Sequence, residues 1–188
     1  MTTARERLLA KVVDHLAANG VADASLREIA AAVGTSHRML LHHFGSREGL
    51  LAEVVRAVEA SQRAALAEVF AGADAGGPVD ARQLSARYWD TLVEVAQRFG
   101  VLFFELSAHA AVGRAYATTL REDLVDGWLP GVTELLGRLG VKPDDAPAAA
   151  RLAVAASRGL LLDVLVTGDR QAVDEAARLF DRLLFSLT

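Results

Sequence analysis

Apolar residues recur at helical spacing along almost the whole chain, and no alternating run is long enough for a strand. Leu9, Val12, Val13 and Leu16 fall at i, i+3, i+4 and i+7, one apolar face of a helix that Gly20 stops. Ser25-Leu-Arg-Glu28 is a capping box: the serine accepts from the backbone N–H near Glu28 while the glutamate reaches back. The helix it starts turns Ile29, Ala30 and Val33 inward and is halted by Gly34. Ser36 then caps a second short helix running to about His43. A turn at Phe44-Gly45-Ser46 launches a long helix to roughly Phe70. The Gly- and Pro-dense stretch from Ala71 to Pro78 reads as a linker. Beyond it, helical patterns cover about residues 80–98, 100–111, 114–139, 146–167 and 169–187, with Gly140-Val-Lys-Pro143 between the third and fourth. The expectation is an all-α chain of about nine helices.

Charge and composition narrow the function classes. The 188 residues include no Cys, which removes disulfides and thiolate zinc sites and suits a reducing cytoplasm. The first residues mix charges into a helical pattern with no signal-peptide apolar block. The most apolar stretch, Leu152 to Thr167, carries Arg158 and Asp163, which argues against a membrane span. A net charge of −4 argues at first against a nucleic-acid partner. The charge is uneven, however: residues 1–63 hold 8 Lys and Arg against 7 Asp and Glu, while residues 64–188 hold 12 against 17. Four of the five His also fall in the first segment, so only there does the balance suit phosphate contacts.

Two short helices joined by a Gly-containing turn at Gly34-Thr35 form a helix-turn-helix, in which one turn position calls for a positive φ. With Leu40 at zero and about 100° per residue, Phe44 falls at about 40° and shares the inward face. Arg38, His42 and Met39 fall at about 160°, 200° and 260°, on the opposite side. Arg bridges guanine acceptors, and hydroxyl and imidazole groups reach base edges or phosphates, so this face meets the demands of a major groove. An ordinary helical corner with a solvated polar face has the same geometry. His37, His42 and His43 diverge around the helix, and no Cys or neighbouring carboxylate completes a metal site with them.

The segment from Leu8 to Val55 resembles the N-terminal domain of TetR-family transcriptional regulators over roughly 45 residues. The features that carry the resemblance are Ala18 and Gly20 ending the first helix, Ser25 before Ile29-Ala30, Gly34-Thr35-Ser36, His43-Phe44, and Ser46-Arg47-Glu48-Gly49-Leu50-Leu51. It implies a helix-turn-helix DNA-binding domain over residues 1–50, with the connecting helix running to about residue 70, and a ligand-binding and dimerisation domain over 51–188. It further implies that Ser25 and Arg27 meet phosphates. Thr35, Ser36, His37, Arg38, Met39, His42 and His43 would supply the groove-facing and backbone-facing set. Arg47 stands where the family usually has Lys, at a helix start that favours a phosphate. Two positions depart from the family pattern: Leu41 replaces a Tyr that commonly touches a phosphate, and Arg38 replaces a small residue.

The remainder of the chain carries no GxSxG elbow, Walker loop, HExxH or Cys nucleophile, so no catalytic constellation is expected. No cofactor is expected either. Aromatics gather between residues 88 and 128, consistent with a packed core or with a small-molecule cavity. The resemblance favours the cavity, with Phe103, Phe104, His109, Tyr116 and Trp128 lining it and Trp89 and Arg158 at its edge. Such a wall suits an apolar or aromatic effector. The last two helices are apolar over more than one face, from Leu152 to Val166 and from Val173 to Leu187. The resemblance implies that they pair with a second subunit in a C2 four-helix bundle. The expected protein is a cytoplasmic, homodimeric repressor that binds a palindromic operator in duplex DNA and is released by a small molecule. A sensor of the same fold that binds a small molecule or a protein without an operator is the alternative.

Overall fold

The computed structural model describes residues 3–21, 25–74 and 81–186. Among them are nine α-helices: α1 (Ala4–Asn19), α2 (Leu26–Ala32), α3 (His37–Phe44), α4 (Arg47–Asp74), α5 (Ala81–Ala111), α6 (Thr118–Asp123), α7 (Leu129–Arg138), α8 (Ala146–Thr167) and α9 (Arg170–Phe185). A 3-10 turn, Ala115–Ala117, precedes α6. The all-α expectation holds among the described residues, but three boundaries move. Helix α4 continues through Ala71–Asp74, while the rest of the expected linker lies outside the described residues. Helix α5 is unbroken where two helices were expected. Gly100 is buried inside it, and a glycine's cost of about 1 kcal/mol is outweighed by the inward row Val93, Ala96, Phe99, Leu102 and Leu106. Conversely, the expected helix over 114–139 is divided, because the chain turns at Gly127 and restarts at α7 with Pro130 in its first turn. Leu187, counted in the last apolar stripe, lies outside the described residues.

The chain divides into two units, residues 1–62 with 98–121 and residues 63–97 with 122–188, so α4 and α5 each contribute to both. The sequence-based boundary at residue 50 falls within the first unit.

In the first unit, α1 and α2 each begin with a reciprocal capping box. Thr3 accepts from the Glu6 N–H at 3.2 Å and Ser25 from the Glu28 N–H at 3.3 Å, while each glutamate accepts from the cap residue's N–H. A cap of this kind contributes about 1 kcal/mol. Gly34 takes φ +73° in the turn between α2 and α3, the left-handed conformation the turn required. Gly49 is required for a different reason: a Cβ there would sit 2.2 Å from the Phe44 carbonyl oxygen. The core joins Val12, Leu16, Ile29, Leu40, Leu50 and Leu51, each fully or almost fully buried. Arg5 braces the end of α3: its guanidinium lies 5.3 Å from the Phe44 ring centre, donates to the His43 carbonyl and pairs with Glu53 at 2.8 Å.

In the second unit, Val132, Leu136, Val141, Ala149, Ala150 and Leu184 form a core shared by α7, α8 and α9, with Phe180 packed against it. Gly168, at φ +71°, closes α8, and Asp169 caps α9 by accepting from the Ala172 N–H at 3.0 Å. The outer side of this hairpin is apolar. Leu152, Ala155, Gly159, Leu162 and Val166 follow steps of three and four along α8, and Leu179 and Leu183 lie on α9; all are exposed. Among the described residues, no helix is long and apolar enough to cross a membrane.

Candidate functional site

In the first unit, α3 turns one face to solvent. Leu40 and Phe44 are buried, while Arg38, Met39, Leu41 and His42 are exposed, Met39 at 42%. Ser36 caps the helix by accepting from the Met39 N–H at 3.2 Å. Thr35 and His37 are half-buried beside it. His43 is also half-buried, and its ring stands edge-on to His42 at 5.1 Å and to Phe44 at 6.1 Å. One helix face therefore carries a guanidinium, a thioether and an imidazole held by an apolar underside, which is a set able to reach base edges.

The flanking positions are more committed. Ser25 spends its hydroxyl on capping α2, and its hydrogen bonds hold the exposed Glu28 carboxyl below its ordinary range. Arg27 is exposed in the first turn of α2. Arg47 begins α4, as a phosphate contact would require, yet its guanidinium also donates to the Val21 carbonyl at 3.0 Å. The Val21 N–H donates to Glu105 Oε2 at 2.7 Å, so both polar groups of this buried residue are clamped, one from α4 and one from α5. Sequence reasoning missed Glu105, which sits in an apolar helix with nothing local to mark its distant partner.

The expected aromatic pocket is redistributed. Phe103, Phe104, His109 and Tyr116 lie in the first unit. There Phe103 is buried edge-to-face with Phe104 at 5.4 Å, and the Tyr116 hydroxyl meets His109 Nδ1 at 2.7 Å. Trp89, Trp128 and Arg158 lie in the second unit. Along α5, which runs without a break, Phe103 follows Trp89 by nearly four helical turns.

A cavity of about 220 Å³ does occupy the second unit, and Trp89 is the expected residue that lines it. Its walls come from α5, α7, α8 and α9, including Leu84, Tyr88, Leu136, Leu160 and Phe180. Polar groups are few and specific. Trp89 Nε1 donates to Asp174 at 2.6 Å, and Arg170 bridges Asp174 at 2.6 Å and Asp90 at 2.7 Å. Burial acts to raise the Asp174 carboxyl, but the bonds from Trp89 and Arg170 outweigh it and leave the group below its ordinary value. Asp181 behaves oppositely: burial pushes it up, countered only by the Ser85 hydroxyl donating at 2.8 Å. Burial also pushes the Tyr88 hydroxyl up to about 12, against the pull of the nearby Arg158 charge. Arg158 itself donates to the Leu124 carbonyl. Among the described residues, no group of three His, Cys, Asp or Glu gathers to hold a metal.

These features define a helical protein of two units, one carrying a helix-turn-helix and the other a small cavity. Residues 8–54 match the sequence model of bacterial regulatory proteins of the tetR family. No curated protein matches the chain. Among solved structures, the chain is similar to a transcriptional regulator from Rhodococcus sp. Rha1, with 23% identity, 98% of this chain and 97% of that chain covered, and a TM-score of 0.83. A TetR transcriptional regulator from Legionella pneumophila is 16% identical over 97% and 98% of the two chains, with a TM-score of 0.79. A transcriptional regulator from Saccharomonospora viridis in complex with choline is 22% identical over 96% and 95%, with a TM-score of 0.73. At these identities the likeness establishes the fold along the whole chain.

Proposed function

We propose that the protein is a cytoplasmic, homodimeric repressor that reads a palindromic operator with α3 and leaves it when a small molecule fills the second-unit cavity. The observation that carries the reading is the exposed α3 face, where Arg38, Met39 and His42 stand out from a helix anchored by buried Leu40 and Phe44. Arg38 and His42 are assigned to base edges, with Met39 giving apolar contact. Thr35, Ser36, His37, His43, Arg27, Ser25 and Arg47 are assigned to the backbone on either side. Leu41 is exposed on the same helix, so no Tyr hydroxyl contributes there, and Arg38 supplies the charge instead.

Dimerisation is assigned to the outer faces of α8 and α9, where the exposed stripe from Leu152 to Val166 and the pair Leu179 and Leu183 match the pattern of a helix-bundle seam. Leu184, expected with Leu183 at the interface, instead belongs to the subunit's own core. Two-fold pairing would place two copies of α3 against two half-sites. The effector is assigned to the cavity beside Trp89 and Tyr88, whose walls call for a molecule with a compact apolar part. The choline complex of the Saccharomonospora viridis protein supports small-ligand occupancy of this fold, while the assignment here rests on this chain's own cavity.

Retention of the purified protein on mixed-sequence duplex DNA tests the reading against a sensor that binds no operator. A DNA reader loses affinity steeply and linearly on a log–log plot against salt. A flat response would favour the sensor.

A further inference from the structure

We propose that the second-unit cavity is a site for an organic ammonium ion, a protonated amine or quaternary ammonium on a small apolar or aromatic body, with Asp181 as its counter-charge. The proposal rests on the reading of this cavity as the effector site and names the effector's chemistry.

The carboxylates at the wall are unequal. Asp90 and Asp174 are both answered by Arg170, and Asp174 also accepts from Trp89. Asp181 lies on the same face of α9, two turns after Asp174. Among the described residues its one polar partner is the neutral Ser85 hydroxyl. A carboxylate half removed from water without a cation destabilises the fold, and a bound cation is the group that reverses this. Tyr88 supplies a second, separate observation. Tyr88 is half-buried at the cavity wall, and no protein hydrogen bond to its hydroxyl is found among the described residues. An ammonium N–H gives it a donor, and the rings of Tyr88, Trp89 and Phe180 offer the faces that attract a cation. An anion would meet the Asp181 carboxylate, which no guanidinium answers as Arg170 answers Asp90 and Asp174. The volume of about 220 Å³ lies below the usual range for drug-sized ligands, so the apolar body is about the size of one ring.

Four probes that share a benzyl group test this: benzyltrimethylammonium, benzylamine, benzyl alcohol and phenylacetate, titrated into the full chain by calorimetry and by tryptophan fluorescence. Both cations should bind at least tenfold more tightly than benzyl alcohol, and phenylacetate should not bind. Asp181→Asn should weaken both cations at least tenfold and leave benzyl alcohol within twofold. Tyr88→Phe should weaken benzylamine several-fold and spare benzyltrimethylammonium, which has no N–H. Equal affinity for cations and benzyl alcohol, or full cation binding by Asp181→Asn, would overturn the charge assignment. In that case the cavity reading would stand on the alcohol's binding. If no probe binds and none alters the fluorescence, the proposal and the cavity reading both fall. Should Asp181→Asn fail to fold, selectivity among the probes in the unaltered protein still decides.

Discussion

Removing the Glu105 carboxylate should weaken the first unit by an amount the structure sets. The Val21 N–H is buried and donates to Glu105 Oε2 at 2.7 Å, a charge-assisted bond. Hydrogen bonds to charged groups contribute about 1.5–3 kcal/mol, and a buried donor left without a partner costs a similar amount. Glu105→Ala should therefore cost about 2–3 kcal/mol. Glu105→Gln keeps an amide oxygen at the same reach and should cost only about 1 kcal/mol. Arg47 holds the carbonyl of the same residue, so the double variant with Arg47→Ala should fall short of the sum of the two singles. Urea unfolding at constant slope measures all three. DNA affinity should drop with stability, whereas ligand binding in the second unit should be unchanged. Equal costs for Gln and Ala, or an Ala cost below about 0.5 kcal/mol, would show that the clamp does not hold this loop.

Arg38→Ala should lose about 1–3 kcal/mol of specific DNA affinity and relax preference at one base pair, measured by competition against single-base operator variants; an unchanged preference would remove it from the reading set. Leu183, 61% exposed on α9, should tolerate Glu within the monomer fold while the dimer dissociates, as sedimentation would show. Leu184→Glu, at 7% exposure in the core, should instead unfold the second unit. Asp181 has a folded-state carboxyl raised by burial, so it favours folding most at low pH and loses that contribution as pH rises through its folded value. Asp181→Asn should consequently be at least as stable as the parent at neutral pH and lack the parent's decline between the ordinary Asp value and the raised folded one; a variant less stable at neutral pH would contradict this.

The helix-turn-helix was legible because its signals are local. Ser25 and Glu28, Gly34, Ser36 and the Leu40–Phe44 pair lie within one or two turns of what they control, and each takes its expected place. The break expected at Gly100 failed because a single glycine's preference is smaller than the packing of the row on either side. The aromatic pocket was read from nearness in sequence, which an unbroken helix turns into distance along an axis. Its more telling signal lay elsewhere. Asp174 and Asp181 are seven residues apart on the same α9 face as Val173, Ala177 and Leu184, and acidic groups inside an apolar stripe mark a site more sharply than rings do. Glu105 gave no local sign, since its partner Val21 lies far along the chain.

The account depends above all on α3 reading DNA, and selection of bound sequences from random duplex DNA by the purified protein tests that most directly. It predicts enrichment of a palindrome whose half-sites are one helical turn or more apart, with a guanine position whose preference disappears in Arg38→Ala. Sequences recovered without any two-fold pattern, or a pattern indifferent to Arg38, would contradict it.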